Sequence, residues 1–215
     1  MNTNKGFWMS GVLLALASFV ALGAAVEPAA EATPVDAVWV KHERNFTFMG
    51  FTSHYSCDGL EYKLKSLLRL SGARDDLKVW SSCSEPRGGP SRIASARMTY
   101  WTLALPGSPQ ATAPAADTKN LGHAPKELKA AESPVSAVGQ WKKVQIRAGR
   151  PREFDSGDCE LVEQFDREVL ADFTLRNHAS RYTCIPHQVS LNGIQTDFEV
   201  LAPLPKAAAP KPISR

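Results

Sequence analysis

A Trp followed 18 positions later by a Cys occurs twice in this chain, at a constant internal offset. Trp39 and Cys57 form the first pair and Trp141 and Cys159 the second, so that 141 − 39 and 159 − 57 both equal 102. One further cysteine follows each pair, and the two cysteines of each half enclose 25 and 24 residues. This spacing predicts an internal duplication. Units of about 70 residues bury little core, so one disulfide in each fits their size.

The cysteines are predicted to pair within each unit, as Cys57–Cys83 and Cys159–Cys184, which is one of three connectivities open to four cysteines. A Cys at the start of a helix can also be a low-pKa nucleophile. Here each such Cys has a partner at the repeated spacing, and no C-x-x-C motif is present. The four widely spaced cysteines also lack the pattern of a zinc site. We therefore predict structural disulfides, no metal and no cofactor.

Each unit is predicted to have the order β-α-β-β, which makes the protein α+β, with mainly antiparallel sheets and one helix per unit. Apolar and polar residues alternate over residues 38–48, 96–105, 141–148 and 194–201, as is typical of half-buried strands. The sequence leaves open whether the two units share one sheet or form separate cores.

A helix is predicted to begin at the first cysteine of each unit. Ser56 and Asp158 directly precede these cysteines and are favoured N-cap residues, because their side-chain oxygens accept free amides of the first turn. Gly72 supplies a C-terminal stop for the first helix. Apolar residues at helical spacing give each helix one buried face. They are Leu60, Leu64, Leu67 and Leu68 in the first helix and Val162, Phe165, Val169 and Phe173 in the second.

Composition divides the chain further, because Pro- and Ala-rich stretches flank both units. The predicted segments are a signal peptide (1–26), a Pro/Ala spacer (27–37), the first unit (38–106), a Pro/Ala-rich linker (107–137), the second unit (138–203) and a disordered tail (204–215). Lys5, an apolar run and small residues near position 25 are typical of a cleaved export signal. An uncleaved anchor helix is the alternative, since the run reaches about 20 residues. Cleavage predicts a periplasmic or secreted chain, and an uncleaved helix predicts a chain anchored at its N-terminus. In both cases the remainder faces an oxidising compartment.

Net charge narrows the choice of partner only slightly. The chain carries 25 basic and 22 acidic residues, and removal of Lys5 with the signal leaves 24 against 22. A net charge near +2 does not predict nucleic acid as a partner, and a membrane is expected only if the N-terminal segment stays uncleaved. The expected partner is a protein or an anionic ligand of the envelope. The sequence does not determine the oligomeric state.

The sequence contains few residue patterns that are typical of a catalytic site. His42 lies on the apolar face of the first strand beside Glu43 and Arg44, where a carboxylate-held imidazole can act as a general base; a satisfied core histidine is the commoner case. Glu61 and Glu163 occupy matching helical positions and would have to converge to act as a carboxylate pair. The sequence contains no G-x-S-x-G motif, no Gly-rich phosphate loop and no H-x-x-x-H pattern.

One run of five basic residues contains no acid between its first and last members, and is the predicted binding site: Lys142, Lys143, Arg147, Arg150 and Arg152. Strand alternation places Lys143 and Arg147 on one face, where they would bind an acidic partner, a phosphate or an anionic glycan. An ordinary solvated strand face is the alternative. The sequence thus favours an exported, non-enzymatic binding or structural protein of a bacterial-type cell envelope. The alternative is an envelope hydrolase with a site in the groove between the units.

Overall fold

A computed structural model describes residues 33–83, 89–112, 135–189 and 191–205. The predicted signal peptide lies outside the described residues, as do positions 113–134 of the predicted linker and positions 206–215 of the predicted tail. The described residues all belong to one compact unit that begins at Ala32.

Six strands form one antiparallel sheet in the order β2-β3-β1-β4-β6-β5. They are β1 (Val35–Met49), β2 (Lys78–Cys83), β3 (Ile93–Ala104), β4 (Val135–Arg147), β5 (Leu175–Tyr182) and β6 (Ile194–Pro203). Each half of the chain contributes three neighbouring strands, and the first strand of each half lies at the centre. The described residues of both halves therefore share a single sheet, which settles the point that the sequence leaves open.

The helices are α1 (Cys57–Leu70), α2 (Pro109–Thr112) and α3 (Cys159–Glu168), with single 3-10 turns at Ser156–Asp158 and Leu170–Asp172. The α+β class and the two longer helices are confirmed. The four-residue α2 follows the last strand of the first half and was not predicted.

The halves are joined by a short run of strand pairing in which Val35–Trp39 lies antiparallel to residues 135–139. Each of these pairs has at least one residue in the predicted spacer (27–37) or the predicted linker (107–137). Both stretches are rich in small residues and lack a clear alternation, so that the sequence alone starts both strands too late. The pairing makes one sheet out of two three-stranded halves.

Helix α1 begins and ends as its sequence predicts. The hydroxyl of Ser56 accepts a hydrogen bond from the amide of Gly59 at 3.2 Å. At the other end Gly72 has a φ of 89°, and the amide of Ala73 donates to the carbonyl of Leu68 at 2.9 Å. This is the Schellman arrangement, in which a left-handed glycine closes the last turn.

The predicted N-cap of α3 is wrong. Asp158 makes no capping hydrogen bond to α3, because a 3-10 turn precedes the helix and Asp155 caps that turn through the amide of Gly157 at 2.7 Å. Asp158 Oδ2 completes the capping box of that turn by accepting from the amide of Asp155 at 2.8 Å. The carboxylate of Asp158 is 2% exposed and accepts from the Tyr55 hydroxyl at 2.5 Å and from Lys63 Nζ at 2.6 Å. Because Asp155 provides the cap, the carboxylate of Asp158 binds Tyr55 and Lys63 and so joins the two halves.

Both helices pack on the same face of the sheet and build the main core with the inward side chains of the strands. The four leucines of the predicted α1 stripe are completely buried, and Leu70 at the end of the helix is partly buried. Val162 and Phe165 lie in α3, whereas Val169 and Phe173 lie just after it, and all four are at most 2% exposed. The apolar stripes are therefore correct as core predictions, although the second helix is shorter than its stripe.

Two disulfides, Cys57–Cys83 and Cys159–Cys184, join each of these helices to its own half, with Cα–Cα distances of 5.8 and 5.6 Å. The predicted connectivity is confirmed. Each bridge connects the first residue of a helix to the end of β2 or to the loop after β5.

The opposite face of the sheet carries a small apolar centre where the two halves meet. Ala37, Leu103 and Leu201 are buried there, and Trp39 and Trp141 pack against them. A glycine makes this packing fit, because a Cβ at position 139 would lie 2.8 Å from Leu103 Cδ1 and 3.0 Å from Leu201 Cδ1.

Gly139→Val should therefore lower the free energy of unfolding by about 1–3 kcal/mol, since both leucine ends must shift inside a packed cluster. Urea unfolding measures this. Gly89→Val is the control, because nothing lies within 4 Å of a Cβ built at that position. Equal stability of the two variants would show that the apolar centre between the halves can accommodate a larger side chain at position 139.

Candidate binding face of the sheet

The face of the sheet away from α1 and α3 presents a set of paired polar side chains in the second half. Lys143 and Gln145 of β4 lie opposite Glu199 and Asp197 of β6. The carboxylate of Asp197 accepts from Gln145 Nε2 at 2.8 Å and from Arg147 Nη2 at 2.5 Å. These contacts hold the side chains in one arrangement on a rigid sheet.

The outer strand β5 completes this arrangement. Arg176 Nε donates to Glu199 Oε2 at 2.5 Å, and Asn177 Nδ2 donates to Glu199 Oε1 at 3.1 Å. The Arg176 guanidinium also lies 4.3 Å from the ring of Trp141. The hydrogen bond from Arg176, with that from Asn177, holds the pKa of Glu199 below its usual value. The hydrogen bond from Arg147 does the same for the pKa of Asp197.

These side chains surround a shallow depression of about 370 Å³, which we call the polar depression. It is lined by Lys143, Gln145, Asn177, Asp197, Phe198 and Glu199. With the flanking Arg147 and Arg176 it combines three cations and two carboxylates, so its net charge is +1. It therefore offers donors, acceptors and a small positive excess to a ligand.

The first half has a different chemistry on the same face. Lys41 corresponds to Lys143 by the offset of 102, yet its cross-strand neighbour is Trp101 instead of a carboxylate. Lys41 Nζ pairs with Glu43 of its own strand at 2.9 Å. Arg74 stacks 4.3 Å from Trp101 and pairs with Asp76 at 2.7 Å. The polar depression thus belongs to the second half.

The predicted basic run is not brought together as one patch. Lys143 and Arg147 lie on the open face, as strand alternation predicts, but the carboxylates of β6 accompany them there. Lys142 lies on the other side of the strand, and its Nζ donates to the carbonyl of Leu70 at 3.3 Å. Arg150 and Arg152 are exposed in the turn after β4. Two of the five residues therefore share the candidate site.

His42 belongs to a buried polar cluster between the two halves. Its Nε2 lies 2.9 Å from the Thr102 hydroxyl, and its Nδ1 lies 3.7 Å from the Asp172 carboxylate. The order Thr-His-Asp resembles a nucleophile with its base. However, the Thr102 hydroxyl donates its one proton to the backbone carbonyl of Asp172 at 3.1 Å, and its residue is 1% exposed. Thr102 therefore accepts from His42 Nε2, and neither group is placed to attack a substrate.

Asp172 is the centre of this cluster. Arg44 binds its carboxylate with two nitrogens, of which Nε lies at 2.8 Å, and the Tyr100 hydroxyl donates at 2.5 Å. Burial opposes ionisation, but the hydrogen bonds from Arg44 and Tyr100 hold the pKa of Asp172 below its usual value. Burial raises the pKa of Tyr100 well above its usual value. The cluster is a structural connection between β1, β3 and the turn after α3.

Burial also lowers the pKa of His42 below 6.5, and the Arg44 charge adds to this, while Asp172 opposes it. The unfolded chain therefore takes up this proton at a higher pH than the folded chain does. The stability that His42 contributes is fully present above about pH 6.5 and declines below it, by at most about 1.4 kcal/mol per pH unit. Urea unfolding between about pH 7.5 and 5.5 measures the slope. His42→Gln should flatten the slope, and an unchanged slope would assign it to other groups.

The carboxylate of Glu61 has its partners in its own half. Glu61 Oε1 accepts from the amide of Ser81 at 3.0 Å, and its Oε2 pairs with Lys65 Nζ at 3.0 Å. Glu61 thus accepts a hydrogen bond from an outward-facing amide of the edge strand β2, which belongs to its own half. Glu163 is half-buried on α3, in the other half.

Two further features bear on the kind of site. The described part of the chain contains no group of three or more His, Cys, Asp or Glu side chains arranged to hold a metal ion. Within the same residues, no helix has the length and apolar character needed to cross a membrane.

Comparisons of this chain with protein-family models, curated proteins and solved structures gave no match. Its function is therefore argued from the site itself.

Sequence reasoning missed Asp197, Glu199, Arg176 and Asn177 as candidate site residues. A signal was present for the first two, because the alternation over residues 194–201 puts both on the polar side of a strand. No local signal pairs them with Lys143, because that depends on the register between β4 and β6. Asn177 has a φ of 54° beside a register shift in β5, which no sequence pattern predicts.

Proposed function

We propose that this chain is an exported, non-enzymatic binding protein of a bacterial-type cell envelope, and that the polar depression holds an anionic glycan. The observation that carries the proposal is the set of contacts that fixes Asp197 and Glu199 on an open sheet face, with Lys143 directly opposite Glu199 in the strand register. Fixed side chains bind with a smaller loss of conformational entropy than mobile ones.

The chemistry of the depression fits an acidic sugar. Ammonium and guanidinium groups make charge-assisted hydrogen bonds to a carboxylate or sulfate. Amide and carboxylate side chains such as Gln145, Asn177 and Glu199 bind hydroxyl groups, which both donate and accept. Trp141, partly covered by Arg176, borders this region. The combination of a small positive excess with two amide and two carboxylate side chains favours a hydroxyl-rich anion over a simple phosphate.

Export is supported by the two disulfides, which are compatible with an oxidising, extracytoplasmic compartment. The sequence of residues 1–26 supplies the proposed signal. An exported chain would reach the cell envelope, where the proposed glycan ligand is located.

We further propose that the halves arose by internal duplication. Both have the order strand, helix, strand, strand, and the sheet order is the same when read outward from β1 and from β4. Arg74 and Arg176 are also 102 positions apart, and each guanidinium faces the Trp of its own frame, at 5.4 Å from Trp39 and 4.3 Å from Trp141. The polar depression is then a specialisation of one copy.

Lys143→Ala should weaken binding of an oligosaccharide of uronic acids about tenfold, because one charge-assisted hydrogen bond is worth about 1.5 kcal/mol. Isothermal titration measures the dissociation constants. Lys41→Ala is the matched control on the first half, and it should bind as the unmodified chain does. Equal losses in both variants, or equal binding of an uncharged oligosaccharide, would reject the assignment.

A further inference from the structure

The outer strand β5 is irregular where it borders the polar depression. Its register with β6 shifts between Arg176 and Ala179, so that two residues, Asn177 and His178, lie opposite the single residue Phe198. This arrangement is a β-bulge, which often redirects a side chain next to a functional site. We call Asn177 and His178 the β5 bulge.

The bulge brings two neighbouring side chains to the open face of the sheet. Successive residues of a regular strand point to opposite faces. Here Arg176 and Asn177 both reach Glu199, through Nε at 2.5 Å and Nδ2 at 3.1 Å. Asn177 adopts a φ of 54°, a left-handed conformation that glycine takes with the least strain. An asparagine at this position adds an amide side chain to the depression, and such strained residues cluster at binding sites.

The contact with Glu199 fixes the orientation of the Asn177 amide. An ionised carboxylate accepts hydrogen bonds and does not donate, so the Nδ2 group faces Glu199 and the carbonyl Oδ1 is the acceptor that remains. Asn177 is exposed and lines the polar depression. Its amide is therefore suited to accept a hydrogen bond from a hydroxyl group of a bound sugar.

His178, the second residue of the bulge, faces the helix side of the sheet. Its Nε2 lies 3.0 Å from Asp166 Oδ1 on α3, and its ring lies 6.2 Å from the ring of the buried Phe198. The Asp166 side chain is 8% exposed and also accepts from the Tyr182 hydroxyl at 2.7 Å. The bulge is thus attached to α3 through one residue and to the depression through the other.

We propose that the β5 bulge sets the affinity of the polar depression for its glycan, an inference that rests on the binding function proposed above. Asn177 is a direct contact to the sugar. His178 is a positioning residue, because its contact with Asp166 fixes the backbone that carries Asn177. Side chains held in this way lose little conformational entropy when a ligand binds.

Asn177→Gly should weaken binding of an oligosaccharide of uronic acids about fivefold, because it removes the amide and retains a residue that accepts a positive φ. Isothermal titration measures the dissociation constant. The free energy of unfolding should change little, since glycine suits this backbone conformation and the lost hydrogen bond is exposed. A dissociation constant equal to that of the unmodified chain would overturn the contact role of Asn177.

His178→Ala should also weaken binding about fivefold, because the bulge loses its attachment to α3. His178→Gln should restore part of the affinity, since its amide can donate to Asp166. Tyr182→Phe is the matched control, because it removes the other side-chain hydrogen bond to Asp166 at a position outside the bulge. It should lower the free energy of unfolding and leave the dissociation constant unchanged. Equal binding by His178→Ala and Tyr182→Phe would overturn the positioning role.

A measurement without ligand separates the role of the bulge from the identity of the ligand. The nuclear Overhauser effect between the Asn177 side-chain amide and the Glu199 side chain should be lost in His178→Ala and kept in Tyr182→Phe. Its persistence in His178→Ala would overturn the positioning role, whether or not a glycan binds. If it is lost as expected but the unmodified chain binds no oligosaccharide, the proposed glycan is wrong and the positioning role of His178 is supported.

Discussion

Asp172→Ala should lower the free energy of unfolding by about 2–4 kcal/mol, because it leaves the buried Tyr100 hydroxyl without its acceptor and the part-buried Arg44 guanidinium without its carboxylate. The Arg44 guanidinium would lose both of its hydrogen bonds, and the Tyr100 hydroxyl would lose its acceptor. Asp172 is 7% exposed, so water does not readily replace the lost contacts. Urea unfolding at neutral pH measures the change.

A surface ion pair provides the control for this variant. Arg74 and Asp76 form the same kind of two-nitrogen contact, but the Asp76 side chain is 56% exposed. Asp76→Ala should therefore change stability by at most about 1 kcal/mol. Equal effects of the two substitutions would show that the Asp172 cluster contributes no more stability than a surface ion pair.

Replacing Cys159 and Cys184 together by Ser should lower the free energy of unfolding by about 3 kcal/mol, because the unfolded chain gains the entropy of an open loop. The Cys57 and Cys83 double variant should lose nearly as much, since the two bridges span sequence separations of 25 and 26 residues. Thermal and urea unfolding of both variants, without reductant, test this. A loss near zero in either variant would mean that this bridge does not reduce the conformational entropy of the unfolded chain.

The helices and disulfides could be predicted because their signals are local and agree with one another. Ser56 and Gly72 mark both ends of α1, and the leucine stripe between them defines its buried face. The repeated spacing of the cysteines selects one connectivity of three. Each of these features depends on residues that are close together in sequence or that recur at a fixed offset.

The single sheet could not be predicted, because each of the five residue pairs that join β1 to β4 includes a position of the predicted spacer or linker. Backbone hydrogen bonds make this connection, and they need no particular side chain. Asp158 shows a related difficulty: a cap is favoured by residue type, but the earlier 3-10 turn assigns that role to Asp155.

The two polar centres were only partly accessible from the sequence. His42 and Arg44 could be identified on an apolar strand face, but Arg44 and its partner Asp172 are separated by 128 positions. Similarly, Lys143 could be identified from charge, whereas its neighbours depend on the register of β4 with β6 and on the irregular backbone of β5. Contacts between distant strands are fixed by the folded sheet, so a single sequence does not reveal them.

Amide chemical shifts recorded during titration with an oligosaccharide of uronic acids test the proposed function most directly. We expect the largest changes at Lys143, Gln145, Asn177, Asp197 and Glu199, and no change at Lys41 and Glu43 in the first half. Changes confined to the first half, or spread equally over both halves in proportion to exposed positive charge, would contradict a specific site in the polar depression.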